Sequence, residues 1–334
     1  MPSCCLDAQC LRVRRRRLIL ASLLGLAVLL GSAYFGAAFL VYENGTSVEA
    51  DCDGNYVGYS PAEWSPPRWD TDFDPAPYFT DDYETVRIPS RDAGIELNGW
   101  WLPAAESDAP TIVVVHGKGG CVRHPEVLAP AAMLHRLGYG VLLIDLRDHG
   151  ASTIEDGRYA GGMEEYRDVM GAIDWLFDAE HPHSDIGVVG TSLGGATAII
   201  TGGADARVAA VWEDSSYSEL ERRVEEELEQ RGFPTIFAPA GPLVARLVSG
   251  DDWTSHTVLG ETENLAGRHL FVTHGEMDDS TYVSHAYDLL EAAEIAGVEV
   301  DSWIVPEAGH VAAMFLHPEE YQRRLGAFFE GAFG

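Results

Sequence analysis

Lysine is all but missing from this chain: Lys118 is the one lysine among 22 basic residues, which face 53 acidic ones and leave a formal net charge of −31 over 334 residues. So large an acidic excess repels phosphate backbones and excludes nucleic acid as a partner. The composition resembles that of proteins from high-salt environments, where the Debye length at about 1 M salt shrinks to about 3 Å and self-repulsion is screened. A GC-rich genome that favours arginine explains the missing lysine but not the acidity. An internal repeat, a dinucleotide fingerprint and a phosphate loop are also absent; Gly117-Lys-Gly-Gly-Cys121 lacks the G-x-x-x-x-G-K-[ST] spacing. Metal-ligand spacing is missing too, because His181-Pro-His183 has no companion ligands at a recognisable interval. Neither a metal nor a cofactor is expected.

Charge of either sign is absent from Leu18 to Val41, directly after Arg12, Arg14, Arg15, Arg16 and Arg17. Those 24 residues span about 36 Å as a helix, enough to cross a hydrocarbon core of about 30 Å. The expectation is a single-pass transmembrane anchor with the arginines on the cytoplasmic side and everything after Val41 extracytoplasmic. A cleaved signal peptide is the rival reading, with small residues at Gly31-Ser-Ala33 and Gly36-Ala-Ala38. Arg15-Arg-Arg-Leu-Ile19 also overlaps a twin-arginine pattern. All three deliver the remainder of the chain, which carries a charge of −35, to the same side.

The chain then divides into a tail (1–17), the span (18–41), a connector (42–81) and one domain (82–334) with a cap insertion at about 213–267. Prolines in Trp64-Ser-Pro-Pro-Arg-Trp69 and Asp74-Pro-Ala-Pro77 break any regular element in the connector, and Asn44-Gly-Thr46 is a glycosylation sequon. Cys4, Cys5 and Cys10 precede the span, as inert thiols or acylation sites. Cys52 and Cys121 share the oxidising side and are free to pair. Within the insertion, Leu220, Val224 and Leu228 form one face of an amphipathic helix over Ser218–Gln230.

One short segment carries the chemistry. Asp185-Ile-Gly-Val-Val-Gly-Thr-Ser192-Leu-Gly-Gly runs as an apolar strand into Gly190-Thr-Ser-Leu-Gly194, the G-x-S-x-G form of a sharp strand-to-helix turn that exposes a serine hydroxyl. A solvated serine in a glycine-rich turn is the bland alternative. An activated serine needs a base, a carboxylate to orient it and N–H donors for the oxyanion. Three further strand ends offer them. Pro110–Val115 opens into His116-Gly-Lys-Gly-Gly120, Arg268–Thr273 into His274-Gly-Glu-Met-Asp278-Asp279, and Val298–Val305 into Pro306-Glu-Ala-Gly-His310.

With these segments in this order, the chain resembles the α/β-hydrolase superfamily over residues 82–334, in particular serine aminopeptidase-like, membrane-anchored serine hydrolases. The hairpin-like Tyr83–Pro103 and the loop Asp145-Leu-Arg-Asp-His-Gly-Ala-Ser152 add to the resemblance, although Asp148 stands where that loop usually has glycine. The resemblance implies a mostly parallel eight-stranded sheet with helices on both faces. It also implies Ser192 as nucleophile, Asp278 as orienting acid, His310 as general base, and the backbone N–H groups of Leu193 and Lys118 as oxyanion hole. Asp279 and Asp214 compete for the acid role; His116, His149 and His274 read as loop structure. Glu164, Glu165 and Asp168 read as the acidic start of a helix. The Lys118 side chain either points to solvent or draws an anionic group to the site.

The expected reaction is cleavage of a carboxylic ester or thioester in a small-molecule acyl substrate, through an acyl-enzyme. A serine peptidase or amidase of the same fold is the first alternative, and a non-catalytic binding module the second. Oligomeric state is left open.

Overall fold

A computed structural model of the chain describes residues 8–48, 52, 54–67, 71, 73–106, 108–178 and 185–334. Cys4, Cys5, His181 and His183 lie outside the described residues.

Short β-branched runs become the strands β1 (Glu84–Pro89), β2 (Glu96–Leu102), β3 (Thr111–Val115), β4 (Gly140–Ile144), β5 (Ile186–Thr191), β6 (Val208–Asp214), β7 (His269–Gly275) and β8 (Glu299–Val305). They form one sheet in the order β1-β2-β4-β3-β5-β6-β7-β8. β2 pairs antiparallel with β1 and β4, and every pair from β4 to β8 is parallel. Because the central strands are covered on both faces, they carry continuous apolar runs rather than alternation. Val113, Leu142, Val188, Val211 and Leu270 enter one core layer; Ile112, Val141, Val189, Trp212 and Phe271 enter the other. Each such side chain, fully buried, contributes about 1.5–3 kcal/mol of transfer free energy.

Helices fill both layers. They are α1 (Ala8–Thr46), α2 (Pro125–Arg136), α3 (Tyr166–Asp178), α4 (Leu193–Ala204), α5 (Leu220–Gln230), α6 (Gly241–Val248), α7 (Val258–Glu263), α8 (Ser284–Ala296), α9 (Ala313–Leu316) and α10 (Pro318–Phe333). Apolar residues of α3, α4 and α8 pack in the first layer and those of α2, α9 and α10 in the second. The chain between β6 and β7 divides: α5, a 3₁₀ turn over Thr235–Ala240 and α6 stand above the sheet, whereas α7 packs back on α4 and α8.

α1 is 39 residues long, about 58 Å, and runs past the charge-free stretch to Thr46. Leu18, Leu20, Leu23, Leu24, Val28 and Leu29 are exposed on it, and Leu11–Thr46 is long and apolar enough to cross a membrane. Its last third packs on the cap. Ala38 and Tyr42 are buried against Ala240, Val244 and Ala245, and Tyr34 donates to the Ile236 carbonyl at 2.8 Å. Arg158 pairs with Glu43 at 2.7 Å. The sequon Asn44 sits in the last turns of this helix, donating to the Leu40 carbonyl at 2.7 Å.

Candidate active site

β5 ends at Thr191 and α4 begins at Leu193, leaving Ser192 alone to turn the chain, with φ 53° and ψ −120°. A non-glycine residue in that region costs about 1–3 kcal/mol, so the surroundings must enforce it. They do so through two glycines. A Cβ on Gly190 would come within 2.0 Å of the Gly194 carbonyl oxygen, and one on Gly194 within 2.3 Å of the Val115 oxygen. Strand, turn and helix can approach this closely only without those side chains. The Ser192 N–H is tied to the Asp214 carbonyl at 2.8 Å, which fixes the turn on β6.

Asp278 and His310 reach the same edge from the loops after β7 and β8. Asp278 is buried, and its Oδ1 accepts the N–H groups of Ser280 and Thr281 at 2.9 and 2.8 Å. Its Oδ2 accepts from His310 Nδ1 at 2.7 Å. Burial pushes this carboxyl up, but hydrogen bonds from His274 and His310 outweigh it and hold the group far below the usual carboxylate range. The half-buried His310 ring and Ser192 line one cavity of about 510 Å³. Among the described residues the Ser192 hydroxyl makes no hydrogen bond and His310 bonds through Nδ1 to Asp278; in unliganded enzymes catalytic hydrogen bonds are often long and tighten in the substrate complex.

The competing residues are placed elsewhere. Asp279 is exposed and uses its carbonyl on Gln230. Asp214 is buried, accepts from Ser215 Oγ and Tyr321 Oη at 2.9 Å each, and is pushed up to about 6 by burial. His116 accepts from the Leu146 N–H and donates to the Gly117 carbonyl; burial and the neighbouring His149 keep it neutral. His149 bonds to the Arg147 carbonyl at 2.7 Å. His274 does more than shape a loop: Nε2 lies 2.8 Å from the Thr281 carbonyl and 3.4 Å from Asp278 Oδ2. Glu164 and Glu165 precede α3 rather than opening it, and Asp168 is buried against Arg147 at 2.8 Å.

The loop after β3 lies across the serine. A Cβ on Gly117 would be 3.1 Å from Ser192 Cβ, so this backbone lies directly against the serine. Leu193 opens α4, where a helix N–H has no intrahelical partner and is available to an anion. Lys118 is the next residue of the loop. Its ammonium donates to the Gly45 carbonyl at the end of α1 and lies 4.6 Å from the centre of the Tyr159 ring. The charge is therefore engaged with the carboxyl end of α1. Cys121 closes this loop with a disulfide to Cys52, Cα atoms 5.5 Å apart.

Several groups in the cavity carry no sequence motif. Tyr159, Arg223, Glu227 and Arg231 line it, with Glu227 held to Arg231 at 2.5 Å. Their helix and loop positions are visible in sequence; their convergence on Ser192 is not. Among the described residues no group of three or more His, Cys, Asp or Glu side chains is placed to hold a metal ion.

Known proteins resemble this chain in sequence and fold. An uncharacterized peptidase, YuxL, of Bacillus subtilis is 26% identical over 269 residues, which is 72% of this chain and 38% of that one; the chain thus spans well under half of this curated relative. An esterase of Pyrococcus furiosus, Pf2001, superposes with a TM-score of 0.64 at 24% identity over 83% of this chain and all of its own. An acylaminoacyl peptidase of Pyrococcus horikoshii does so with a TM-score of 0.55 at 19% identity, over 75% of this chain and 41% of its own. These likenesses establish the α/β-hydrolase fold. Residues 126–334 match the profile of the Prolyl oligopeptidase family, and the chain belongs to that family of α/β-hydrolase serine hydrolases.

Proposed function

We propose that this chain is a membrane-anchored serine hydrolase that cleaves a carboxylic ester or thioester, with Ser192, His310 and Asp278 as its triad. The observation that carries this reading is the His310 Nδ1–Asp278 Oδ2 bond of 2.7 Å, facing a cavity that also holds a serine in a strained turn. His310 with Nδ1–H donated to Asp278 has Nε2 free to accept the Ser192 proton. Ser192 Oγ then attacks the carbonyl carbon. The oxyanion meets the N–H groups of Leu193 and Lys118, a type of contact worth about 3–4 kcal/mol per donor in other serine hydrolases. Collapse breaks the acyl–oxygen or acyl–sulfur bond, and His310 returns the proton to the leaving group. Water, deprotonated by the same imidazole, releases the acid.

The anchor reading rests on the integration of α1 with the domain. Tyr34, Ala38, Tyr42, Glu43 and Gly45 all engage the cap or the loops around the cavity, and cleavage after Ala38 would cut through those contacts. The Cys52–Cys121 disulfide supports an oxidising, extracytoplasmic location. A peptidase of the same fold is the second reading, favoured by the family and by the likeness to an acylaminoacyl peptidase.

A fluorophosphonate probe tests the chemistry: it should label the wild-type chain and not Ser192→Ala. No labelling of a folded wild type would favour a binding module instead. Hydrolysis of p-nitrophenyl esters beside aminoacyl amides then separates esterase from peptidase.

A further inference from the structure

Beside the Ser192 cavity lies a second one of about 530 Å³, walled on one side by Ala37, Leu40 and Val41 of α1 and on the other by Leu228, Phe237 and Trp253 of the cap. Tyr159, Glu227 and Arg231 line both cavities, so the two adjoin at these side chains. We infer that this second cavity is an acyl-chain site, which takes the hydrocarbon tail of a long-chain ester from the bilayer and leads its carboxyl end to Ser192. The inference rests on the esterase reading of Ser192 and on α1 as an uncleaved anchor.

Three observations favour a hydrocarbon tail. The α1 wall belongs to the last turns of the charge-free stretch Leu18–Val41, so the cavity stands at the depth where the helix leaves the bilayer. The cap turns outward Phe233, Ile236, Leu243 and Leu247, each 46–75% exposed, on the segment that packs against that helix end. This is apolar surface suited to the acyl boundary of a membrane, and the exposed Arg246 on the same helix suits its headgroups. Finally, the wall is mostly apolar, and of its polar groups Asn44 and Thr46 donate within α1 and Glu227 pairs with Arg231, so an extended peptide would find few partners here for its N–H and C=O groups.

The test uses the full chain in ether-lipid vesicles, whose own lipids have no ester to cleave, with p-nitrophenyl palmitate and p-nitrophenyl butyrate. Ala37→Trp should lower the palmitate-to-butyrate ratio of kcat/KM at least tenfold; a smaller fall overturns the inference. A second measurement does not depend on turnover or on that variant. Diazirine-bearing palmitic acid, irradiated with Ser192→Ala protein, should leave adducts on Leu228, Phe237 or Trp253; adducts confined to Leu18–Ala33 would overturn it. If the wild type turns over neither ester and takes no fluorophosphonate, the esterase reading fails on its own, while the crosslink still decides the cavity.

Discussion

His274 lies 3.4 Å from Asp278 Oδ2, the same carboxylate oxygen that His310 holds at 2.7 Å. One buried carboxylate thus serves two imidazoles, one facing the cavity and one beneath it. Burial alone would push His274 down, yet Asp278 and Glu213 hold it above its ordinary value. Asp278→Asn should lower kcat by about 10⁴-fold, as loss of the orienting acid does elsewhere. His274→Gln acts only through the position of Asp278 and should cost roughly 10- to 100-fold. Single-turnover kinetics with an activated ester checks both, and an effect of His274→Gln on KM alone would contradict the positioning role.

The turn at Ser192 is legible in sequence because its constraints are local: five residues, two obligatory glycines and an apolar strand before them. The acid and base are legible only through their order after strand ends. Asp148 shows how a departure from pattern is absorbed. It adopts φ 63°, and its Oδ1 accepts the N–H groups of Glu155, Asp156 and Gly157 at 2.7–3.0 Å, so a side chain stabilises a conformation for which glycine is usual. The reach of Lys118 to Gly45 is not legible, since the two are 73 residues apart and neither lies in a pattern that names the other. The same holds for the packing of α1 on the cap, where hydropathy alone marks a span and says nothing of its last turns.

The disulfide links the connector to the loop after β3 across a sequence separation of 69. Closing a loop of that length removes about 4 kcal/mol of unfolded-state entropy. Cys52→Ser with Cys121→Ser should lower the unfolding free energy by up to that amount. Denaturant titrations of both proteins, with and without reductant, provide the check: reductant should move the wild type toward the variant and leave the variant unchanged.

Arg147 is buried at the centre of four carboxylates, with Asp92 at 2.6 Å, Asp168 at 2.8 Å, Glu155 at 3.0 Å and Glu164 at 3.5 Å. Removing the cation strands Asp168, which has no exposed surface. Arg147→Ala should destabilise the fold by about 3–5 kcal/mol, the usual result of breaking a buried pair from one side. Arg147→Lys should recover only part of it, because an ammonium cannot reproduce the guanidinium fork. The midpoint of urea unfolding reads both.

Glu165 predicts a pH dependence whose sign follows from burial. Its Oε1 accepts the Ala160 N–H at 2.7 Å, but desolvation dominates and pushes the carboxyl up to about 7. In the unfolded chain the group titrates near its ordinary value of about 4.3. Between those values the folded state holds the proton and the unfolded state has lost it, so this residue's contribution to stability is full below about pH 4 and falls as pH rises toward 7. At about 1.4 kcal/mol per unit, the loss approaches about 4 kcal/mol and levels off above pH 7. Glu165→Gln keeps the oxygen acceptor and removes the titration. Relative to wild type, the variant should gain stability steadily from pH 4.5 to 7 and no further from 7 to 8.5, measured by urea unfolding at constant ionic strength. A gap that stays flat across pH 4.5–7 would show that this carboxyl is ionised in the folded protein.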